Sequence, residues 1–299
     1  MKAAFGEPIR DERVRLRDGR ALAYAEWGDV YGSPVFFFHG APGSRLWCPD
    51  EAATRAAGVH LIAVDRPGFG RSDLQPGRRL EDWPLDVAEL AAALGLDRFA
   101  VAGYSAGGPY ALACAALSAD LVTRAGLVGT TTRLLLRERP GAIAELDDGQ
   151  RRVFELVEQG DREAAARQLA ADEAEWTRAV CEQPQRFFDP FPMTDQNRWF
   201  REDPARLGPF LQAVGEALRQ GPAGLGWERL VAFEPCPFPL DGISVDVLLW
   251  HGRLDVVAPC TAAEFLADKI PTCNVTTWPD EGHLGIARHW HEILATLAR

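Results

Sequence analysis

The chain has 299 residues, of which 47% are hydrophobic and 25% are charged. These proportions are those of an ordinary globular protein and exclude a collagen-like or disordered chain. The formal net charge is −11. Because no basic stripe offsets this charge, neither nucleic acid nor an anionic membrane surface is expected as a partner.

Lysine is nearly absent, since only Lys2 and Lys269 occur among the 32 basic side chains. No G-x-x-x-x-G-K-[ST] phosphate loop is present, and no motif around Lys269 supports Schiff-base chemistry. The six cysteines lack paired zinc spacing, and neither a signal segment nor a membrane-spanning run is visible. We therefore expect a cytoplasmic protein that acts on a small molecule without a metal or cofactor, in an oligomeric state that the sequence leaves open.

The N-terminal part predicts a hairpin followed by alternating strands and helices. The hairpin joins residues 14–17 to residues 21–24 through Asp18 and Gly19, which favour a type I′ turn. Helices are predicted over residues 80–94 and 105–117. Four apolar runs are predicted as strands: residues 35–38, 59–64, 99–102 and 125–128. This alternation indicates a parallel α/β sheet.

The middle of the chain has a different pattern. Residues 131–240 show helical spacing and proline-rich breaks but no convincing strand. The strand and helix alternation then resumes, with strands predicted at 245–250 and 273–278 and a closing helix at 284–297. We predict an α/β core in two parts, residues 1–130 and 241–299, interrupted by a helical lid over residues 131–240.

The sequence Gly-Tyr-Ser-Ala-Gly at residues 103–107 matches G-x-S-x-G between a predicted strand and a predicted helix. A serine on such a sharp turn leaves no room for side chains two residues away on either side, which explains the glycines. A serine hydroxyl becomes a nucleophile only beside a base that an acid orients. We predict that Ser105 is this nucleophile; the alternative is a glycine-rich packing turn.

Among the six histidines, His283 is the predicted base. It follows the last predicted strand and therefore lies, like Ser105, at the carboxyl edge of the sheet. His39 is expected to support its own loop, and His251 to point beneath the site. The other histidines lie at the wrong edge or on divergent faces of the closing helix: His60, His289 and His291.

Asp255 is the predicted acid, because it follows the penultimate strand and precedes His283 in the chain order Ser, acid, His. Residues 125–137, the other customary place, contain no carboxylate. Asp246 lies at the wrong end of its strand, whereas Asp280 and Glu281 share the loop of the histidine.

An oxyanion hole requires two backbone N–H groups. Ala106 follows the nucleophile directly and supplies one. In the loop after the first central strand, Pro42 has no N–H, so Ala41 is the expected second donor. Arg45 in the same loop either reaches a substrate carboxylate or is a solvated or paired arginine.

Five motifs occur in the order HGAPG at 39–43, DRPGFGRS at 65–72, GYSAGG at 103–108, GRLD at 252–255 and GH at 282–283. Together they resemble the α/β-hydrolase superfamily, in its lid-bearing group of esterases, lipases, perhydrolases and proline iminopeptidases. The resemblance implies an eight-stranded, mostly parallel sheet flanked by helices, with the lid between strands 6 and 7. It also implies Ser105, Asp255 and His283 as a catalytic triad.

Residue types narrow the reaction. Epoxide hydrolases and haloalkane dehalogenases carry aspartate where this chain has Ser105. Epoxide hydrolases also use tyrosines of the lid to protonate the epoxide oxygen, whereas the four tyrosines of this chain all lie outside residues 131–240. Ala106 departs from the methionine typical of perhydrolases. The motifs also depart from the H-G-G-P-G and G-G-S-W-G of proline iminopeptidases, although Glu173 and Glu175 could bind a substrate amine.

Hydrolysis of a carboxylic ester or lactone of a small, partly apolar molecule is the predicted reaction. An aminopeptidase, an acyltransferase or perhydrolase, and a non-catalytic binding protein remain the alternatives. The residues predicted to contact the substrate are Tyr104, Arg45, Phe187, Phe188, Trp199 and Trp227.

Overall fold

The computed structural model describes residues 6–131, 136–137 and 141–299. The strands among them form one eight-stranded sheet. The strands are β1 (Arg10–Arg15), β2 (Ala21–Gly28), β3 (Ser33–Phe38), β4 (Val59–Val64), β5 (Phe99–Tyr104), β6 (Val122–Val128), β7 (Asp246–Gly252) and β8 (Cys273–Trp278). Their order across the sheet is β1-β2-β4-β3-β5-β6-β7-β8. β2 is antiparallel to both β1 and β4, and all other neighbours are parallel.

Helices flank the sheet and fill the connection between β6 and β7. They are α1 (Glu51–Ala56), α2 (Trp83–Leu94), α3 (Gly108–Leu117), α4 (Asp148–Glu158), α5 (Arg162–Asp172), α6 (Ala174–Glu182), α7 (Asp195–Arg201), α8 (Pro204–Ala217), α9 (Ala223–Leu230), α10 (Thr261–Lys269) and α11 (Trp290–Leu297). The predicted fold, a mostly parallel eight-stranded sheet with flanking helices, is confirmed.

The central strands are buried on both faces because their apolar residues serve two layers. Phe36 and Phe38 of β3 pack into a core with α2, α3 and α10. Val35 and Phe37, which alternate with them, face the opposite core with α11. The Phe37 ring lies 5.2 Å from that of Trp290. This two-sided burial explains the uninterrupted apolar run in the sequence.

The hairpin is present, but the predicted type I′ turn is wrong. β1 ends at Arg15, which is opposite Ala21, so the loop is longer than two residues. A type I′ turn needs positive φ at both central residues. Gly19 has a φ of +90°, whereas Asp18 does not adopt positive φ. Asp18 instead accepts hydrogen bonds from the backbone N–H and guanidinium of Arg20.

The chain between β6 and β7, here called the insert, carries α4 to α9 and no strand in its described residues. One part, around Phe188, Phe200 and Phe210, packs on the core that contains β3 and α11. Another part, formed by α4, α5 and α9, builds a smaller core of its own. The insert therefore lies over one end of the sheet and is held there by apolar packing.

Candidate active site

Ser105 lies at the sharp turn from β5 into α3, with a φ of +52°. It is the only non-glycine residue with positive φ in the described part of the chain. A Cβ on Gly103 would lie 2.3 Å from the Gly107 carbonyl oxygen, and one on Gly107 would lie 2.1 Å from that of Phe38. Only glycine fits at both places, so these two residues allow the turn that presents Ser105.

Ser105, His283 and Asp255 are in hydrogen-bond contact at one edge of the sheet. The Nε2 atom of His283 lies 3.0 Å from Oγ of Ser105, and its Nδ1 atom lies 2.7 Å from Oδ2 of Asp255. The network assigns the proton to Nδ1, because an ionised carboxylate can only accept a hydrogen bond. Nε2 is then free to accept the serine proton.

The carboxylate of Asp255 is buried and its charge is stabilised locally. Burial alone opposes ionisation, but His283 and two backbone amides keep the pKa of Asp255 below its ordinary value. The amides are those of Val257 and Ala258, which donate to Oδ1 at 2.8 and 2.9 Å. Asp255 is therefore ionised at neutral pH and can stabilise a protonated His283.

Two residues without a predicted role toward the histidine lie against it. Gly129, with a φ of +51°, follows β6, and a Cβ there would lie 3.4 Å from Nδ1 of His283 and 3.5 Å from Oδ2 of Asp255. Tyr104 donates its hydroxyl to the His283 carbonyl at 3.1 Å. Burial and the charge of Asp255 raise the pKa of Tyr104 well above its ordinary value, so this hydroxyl stays protonated.

The loop that contains Ala41 lies against the Ser105 turn. A Cβ on Gly40 would contact the Tyr104 ring at 3.2 Å and the Ser105 Cβ at 3.4 Å. Ala41 and Ala106 both border the space next to Ser105. The two residues predicted to form the oxyanion hole therefore adjoin the same cavity as Ser105.

Buried hydrogen bonds hold this loop. His39 donates from Nδ1 to the Gly40 carbonyl at 2.6 Å and accepts at Nε2 from the Arg66 backbone N–H at 3.3 Å. Burial and the nearby Arg66 hold the pKa of His39 well below its ordinary value. The neutral ring can both donate and accept, as support of its own loop requires.

A narrow cavity of about 90 Å³ opens beside Ser105. Its polar side chains include Thr194 and Asn197, which are engaged in capping α7. Its apolar walls come from both the core and the insert: Trp47, Tyr104, Phe187, Phe188, Phe191, Phe210, Val214, Leu254, Val256 and Val257. Such walls favour an apolar substrate group.

A second cavity of about 410 Å³ also borders Ser105 and has a more polar wall. Tyr110, Glu228 and Arg229 contribute to it. The Glu228 carboxylate accepts from Arg66 at 2.6 Å, Arg78 at 2.8 Å and the Tyr110 hydroxyl at 2.9 Å. Although burial opposes ionisation, the two arginines keep the pKa of Glu228 below its ordinary value. Sequence reasoning missed this residue, because no motif surrounds it.

Comparison with known proteins places the chain in a family. Residues 33–289 match the sequence profile described as the alpha/beta hydrolase fold. This protein belongs to the α/β-hydrolase family. The bifunctional esterase/perhydrolase DCH of Acinetobacter calcoaceticus is 26% identical to this α/β-hydrolase over 82% of this chain and 83% of that protein. A proline iminopeptidase of Xylella fastidiosa (strain 9a5c) is 26% identical over 95% of this chain and 94% of its own.

A solved structure with the same fold is the bromoperoxidase of Bacillus anthracis, with a TM-score of 0.68. It is 21% identical in sequence to this α/β-hydrolase, and the superposition covers 96% of this chain and 98% of the bromoperoxidase. The described residues contain no group of three or more metal-ligating side chains. No helix in the same residues is both long and apolar enough to cross a bilayer.

Arg45 does not face the substrate space of the α/β-hydrolase, and the prediction that it binds a substrate carboxylate is wrong. Its side chain is only 2% exposed. Nε and Nη2 donate to Asp11, and Nη1 donates to Asp65 at 2.7 Å and Glu216 at 2.8 Å. These three carboxylates engage every guanidinium nitrogen, so Arg45 ties the insert to the core.

Trp199 and Trp227 also lie away from both cavities, whereas Phe187 and Phe188 line the apolar one. The Trp199 ring contacts two guanidinium groups, whose distances from its centroid are 4.1 Å for Arg288 and 4.9 Å for Arg206. Trp227 packs in the small core of α4, α5 and α9. Both tryptophans are packing residues within the insert or between it and the core.

The carboxylates suggested for amine binding also lie elsewhere. Glu173 forms an ion pair with Arg229, and Glu175 is exposed on α6. Neither borders a cavity next to Ser105. Glu228 does, but its charge is already neutralised by two arginines.

Proposed function

We propose that this α/β-hydrolase is a serine hydrolase that cleaves a carboxylic ester or lactone of a small, partly apolar molecule. The observation that carries the proposal is the continuous contact from Asp255 through His283 to Ser105, at 2.7 and 3.0 Å. The esterase activity in the name of the Acinetobacter relative supports the same class of reaction.

In the first half-reaction, Nε2 of His283 takes the proton of Ser105 as Oγ attacks the carbonyl carbon. The carbonyl oxygen becomes an oxyanion and accepts from the amides of Ala41 and Ala106. His283 then gives its proton to the leaving alcohol oxygen, and the bond between that oxygen and the carbonyl carbon breaks. The product is an ester of Ser105.

In the second half-reaction, His283 removes a proton from water, whose oxygen attacks the acyl carbon of the serine ester. The bond to Oγ breaks, and the proton on His283 returns to Ser105. Asp255 stays ionised throughout, because its role is to fix the imidazole tautomer and stabilise the imidazolium.

The insert acts as the lid in this proposal. It contributes Phe187, Phe188 and Phe191 to the apolar cavity. A narrow apolar cavity and a larger, more polar one, both next to Ser105, fit an ester whose two halves differ in polarity. The lack of an unpaired carboxylate among the described wall residues argues against an amine substrate, despite the similarity to a proline iminopeptidase.

A fluorophosphonate probe followed by intact mass analysis tests the nucleophile directly. We expect one adduct on the parent protein and none on Ser105→Ala. Hydrolysis of p-nitrophenyl acetate should fall by about 10⁴ or more in the same variant. A parent protein that neither reacts with the probe nor turns over esters would overturn the proposal and favour a binding protein.

A panel of esters, lactones, thioesters and amino-acyl amides then separates the reaction classes. We expect hydrolysis of the oxygen esters or lactones to dominate. Faster cleavage of N-terminal prolyl amides would instead identify an aminopeptidase. Product analysis with added alcohols or hydrogen peroxide distinguishes hydrolysis from acyl transfer and perhydrolysis.

A further inference from the structure

His251 is a second histidine beside the acid of the site, and the proposed mechanism does not use it. It lies near the end of β7, and its side chain is fully buried. Nε2 lies 2.7 Å from the Ala258 carbonyl oxygen and 3.6 Å from Oδ2 of Asp255. The carbonyl can only accept, so Nε2 carries the proton. The other nitrogen, Nδ1, is buried and has no hydrogen-bond partner.

The Ala258 carbonyl belongs to the turn that holds Asp255. In that turn, the N–H groups of Val257 and Ala258 both donate to Oδ1 of Asp255. Ala258 thus orients the carboxylate through its N–H while its carbonyl is bound by His251. A shift of this peptide changes the direction of the carboxylate relative to His283.

His251 is itself held by the sheet. Its position on β7 is paired in register with Thr277 of β8, and the preceding Trp250 is paired with Val128 of β6. Three connections therefore join β7 to the base: His251 to Ala258, Ala258 to Asp255, and Asp255 to His283. The turn from 255 to 258 has no strand pairing of its own, so the hydrogen bond from His251 to the Ala258 carbonyl fixes it to β7.

We infer that His251 is a positioning residue, which aligns Asp255 with His283 by anchoring the Ala258 carbonyl. It touches neither the serine nor the cavities next to it. The inference rests on the proposed triad and adds a fourth side chain to it. A role in packing alone predicts lower stability on its loss, whereas a positioning role predicts a loss of turnover that depends on Asp255.

The test compares three replacements. His251→Gln keeps an amide donor near the place of Nε2, His251→Asn shortens its reach, and His251→Leu removes it. We expect His251→Leu to lower kcat for p-nitrophenyl acetate by about tenfold to hundredfold with KM changed less than about twofold. His251→Gln should recover kcat to within about threefold of the parent, and His251→Asn should not.

A double-mutant cycle with Asp255→Asn separates positioning from packing. If His251 acts through Asp255, adding His251→Leu to Asp255→Asn lowers kcat by less than about twofold further. Multiplicative losses in the double variant, parent kcat in His251→Leu, or failure of His251→Gln to recover kcat would each overturn the inference. The exposed His291→Leu on α11 is the matched control, and should leave kcat unchanged.

Thermal unfolding of each variant identifies those that fold, and the pair of Gln and Asn variants carries the test if His251→Leu does not fold. The rate of fluorophosphonate labelling of Ser105 keeps the two proposals distinguishable. If the parent is labelled, and His251→Leu and His251→Asn are labelled equally fast, the positioning role is overturned but Ser105 remains the nucleophile. A parent that is not labelled overturns both.

Discussion

At the scale of single residues, the backbone conformation at the Ser105 turn depends on the absence of side chains at two neighbouring glycines. A positive φ at a non-glycine residue costs about 1–3 kcal/mol and persists only where its surroundings enforce it. Here the surrounding backbone packs tightly around the turn, and it can do so because Gly103 and Gly107 have no Cβ atom, which would collide with it. The serine is thereby exposed toward His283 at the edge of the sheet.

Gly103→Ala should therefore destabilise the fold by about 1–3 kcal/mol, since the new Cβ must displace the Gly107 carbonyl. Urea unfolding at constant pH measures the change. The control is Gly215→Ala on α8, where a Cβ would meet nothing within 4 Å. That substitution should instead raise stability by about 0.5–1 kcal/mol, because alanine favours a helix interior. Equal effects of the two changes would contradict the steric argument.

His39 gives a prediction for the dependence of stability on pH. Its folded-state pKa is well below its ordinary value, because burial and Arg66 disfavour the cation. The unfolded chain therefore binds a proton below a pH of about 6.5 that the folded chain does not. The stability from neutral His39 is fully present above that pH and is lost as the pH falls below it, by at most about 1.4 kcal/mol per pH unit.

The variant His39→Asn retains a donor for the Gly40 carbonyl but does not titrate. Urea unfolding of both proteins from pH 7.5 to pH 5 should give a shallower decline for the variant. Parallel curves for the two proteins would show that His39 does not contribute to the acid sensitivity. The comparison is a difference between two proteins, so groups that titrate in both cancel.

At the scale of elements, the insert is joined to the core by polar contacts as well as apolar packing. Ser44 donates its hydroxyl to the Ala213 carbonyl of α8 at 2.8 Å. The adjacent Arg45 binds Glu216, which also lies on α8, and the buried Asp65 after β4. Both residues belong to the loop that carries Ala41, so the position of α8 and the shape of this loop are coupled.

Loss of Arg45 should be costly, because Asp65 would remain as a buried carboxylate without its cation. For Arg45→Met we expect a loss of about 3–5 kcal/mol in the free energy of unfolding. Arg219→Met removes an exposed partner of the same Glu216 and should cost less than about 1 kcal/mol. Denaturant unfolding of both variants measures the difference, and similar losses would argue against a structural role for the buried pair.

The segment before α7 contributes to the walls of both cavities. Phe191 and Pro192 border both the apolar cavity of about 90 Å³ and the more polar one of about 410 Å³. The size of the apolar cavity is thus set partly by one aromatic ring of the insert. If the proposed esterase activity holds, this ring limits the length of the group that fits there.

Phe191→Ala should then shift the preference toward longer acyl or alkyl groups. We expect the ratio of kcat/KM for p-nitrophenyl octanoate to that for the acetate to rise by about tenfold. Met193→Ala, an exposed residue that borders neither cavity, is the control and should leave the ratio unchanged. An unchanged ratio in Phe191→Ala would show that another wall sets the limit.

At the scale of the whole molecule, the near absence of lysine is consistent with the role of the buried cations, which are arginines that bind carboxylates of distant segments. Arg45, Arg66 and Arg78 are each less than 5% exposed and pair with buried or half-buried carboxylates. A guanidinium group can donate to several acceptors in a fixed plane, as Arg45 does to three carboxylates, whereas an ammonium group cannot match that geometry. Arginine therefore links segments that are distant in the chain.

The sequence by itself determined the alternation of strands and helices, the sharp turn at Ser105, and the order Ser105, Asp255, His283. These follow from local patterns, and from the rule that the ends of parallel strands meet at one edge of a sheet. Ser105 follows β5, Asp255 follows β7 and His283 follows β8, so the topology alone predicts that they lie near one another.

Only the tertiary structure decided which side chains face Ser105 and which pack elsewhere. Arg45 and Phe187 are equally plausible substrate contacts by residue type. Yet Arg45 forms an ion pair with Glu216, 171 residues away, whereas Phe187 lines a cavity next to Ser105. Glu228 has no sequence signal because its partners, Arg66, Arg78 and Tyr110, come from other elements. The physical reason is that a buried polar group takes whichever partner packing brings within about 3 Å, and no local pattern encodes that choice.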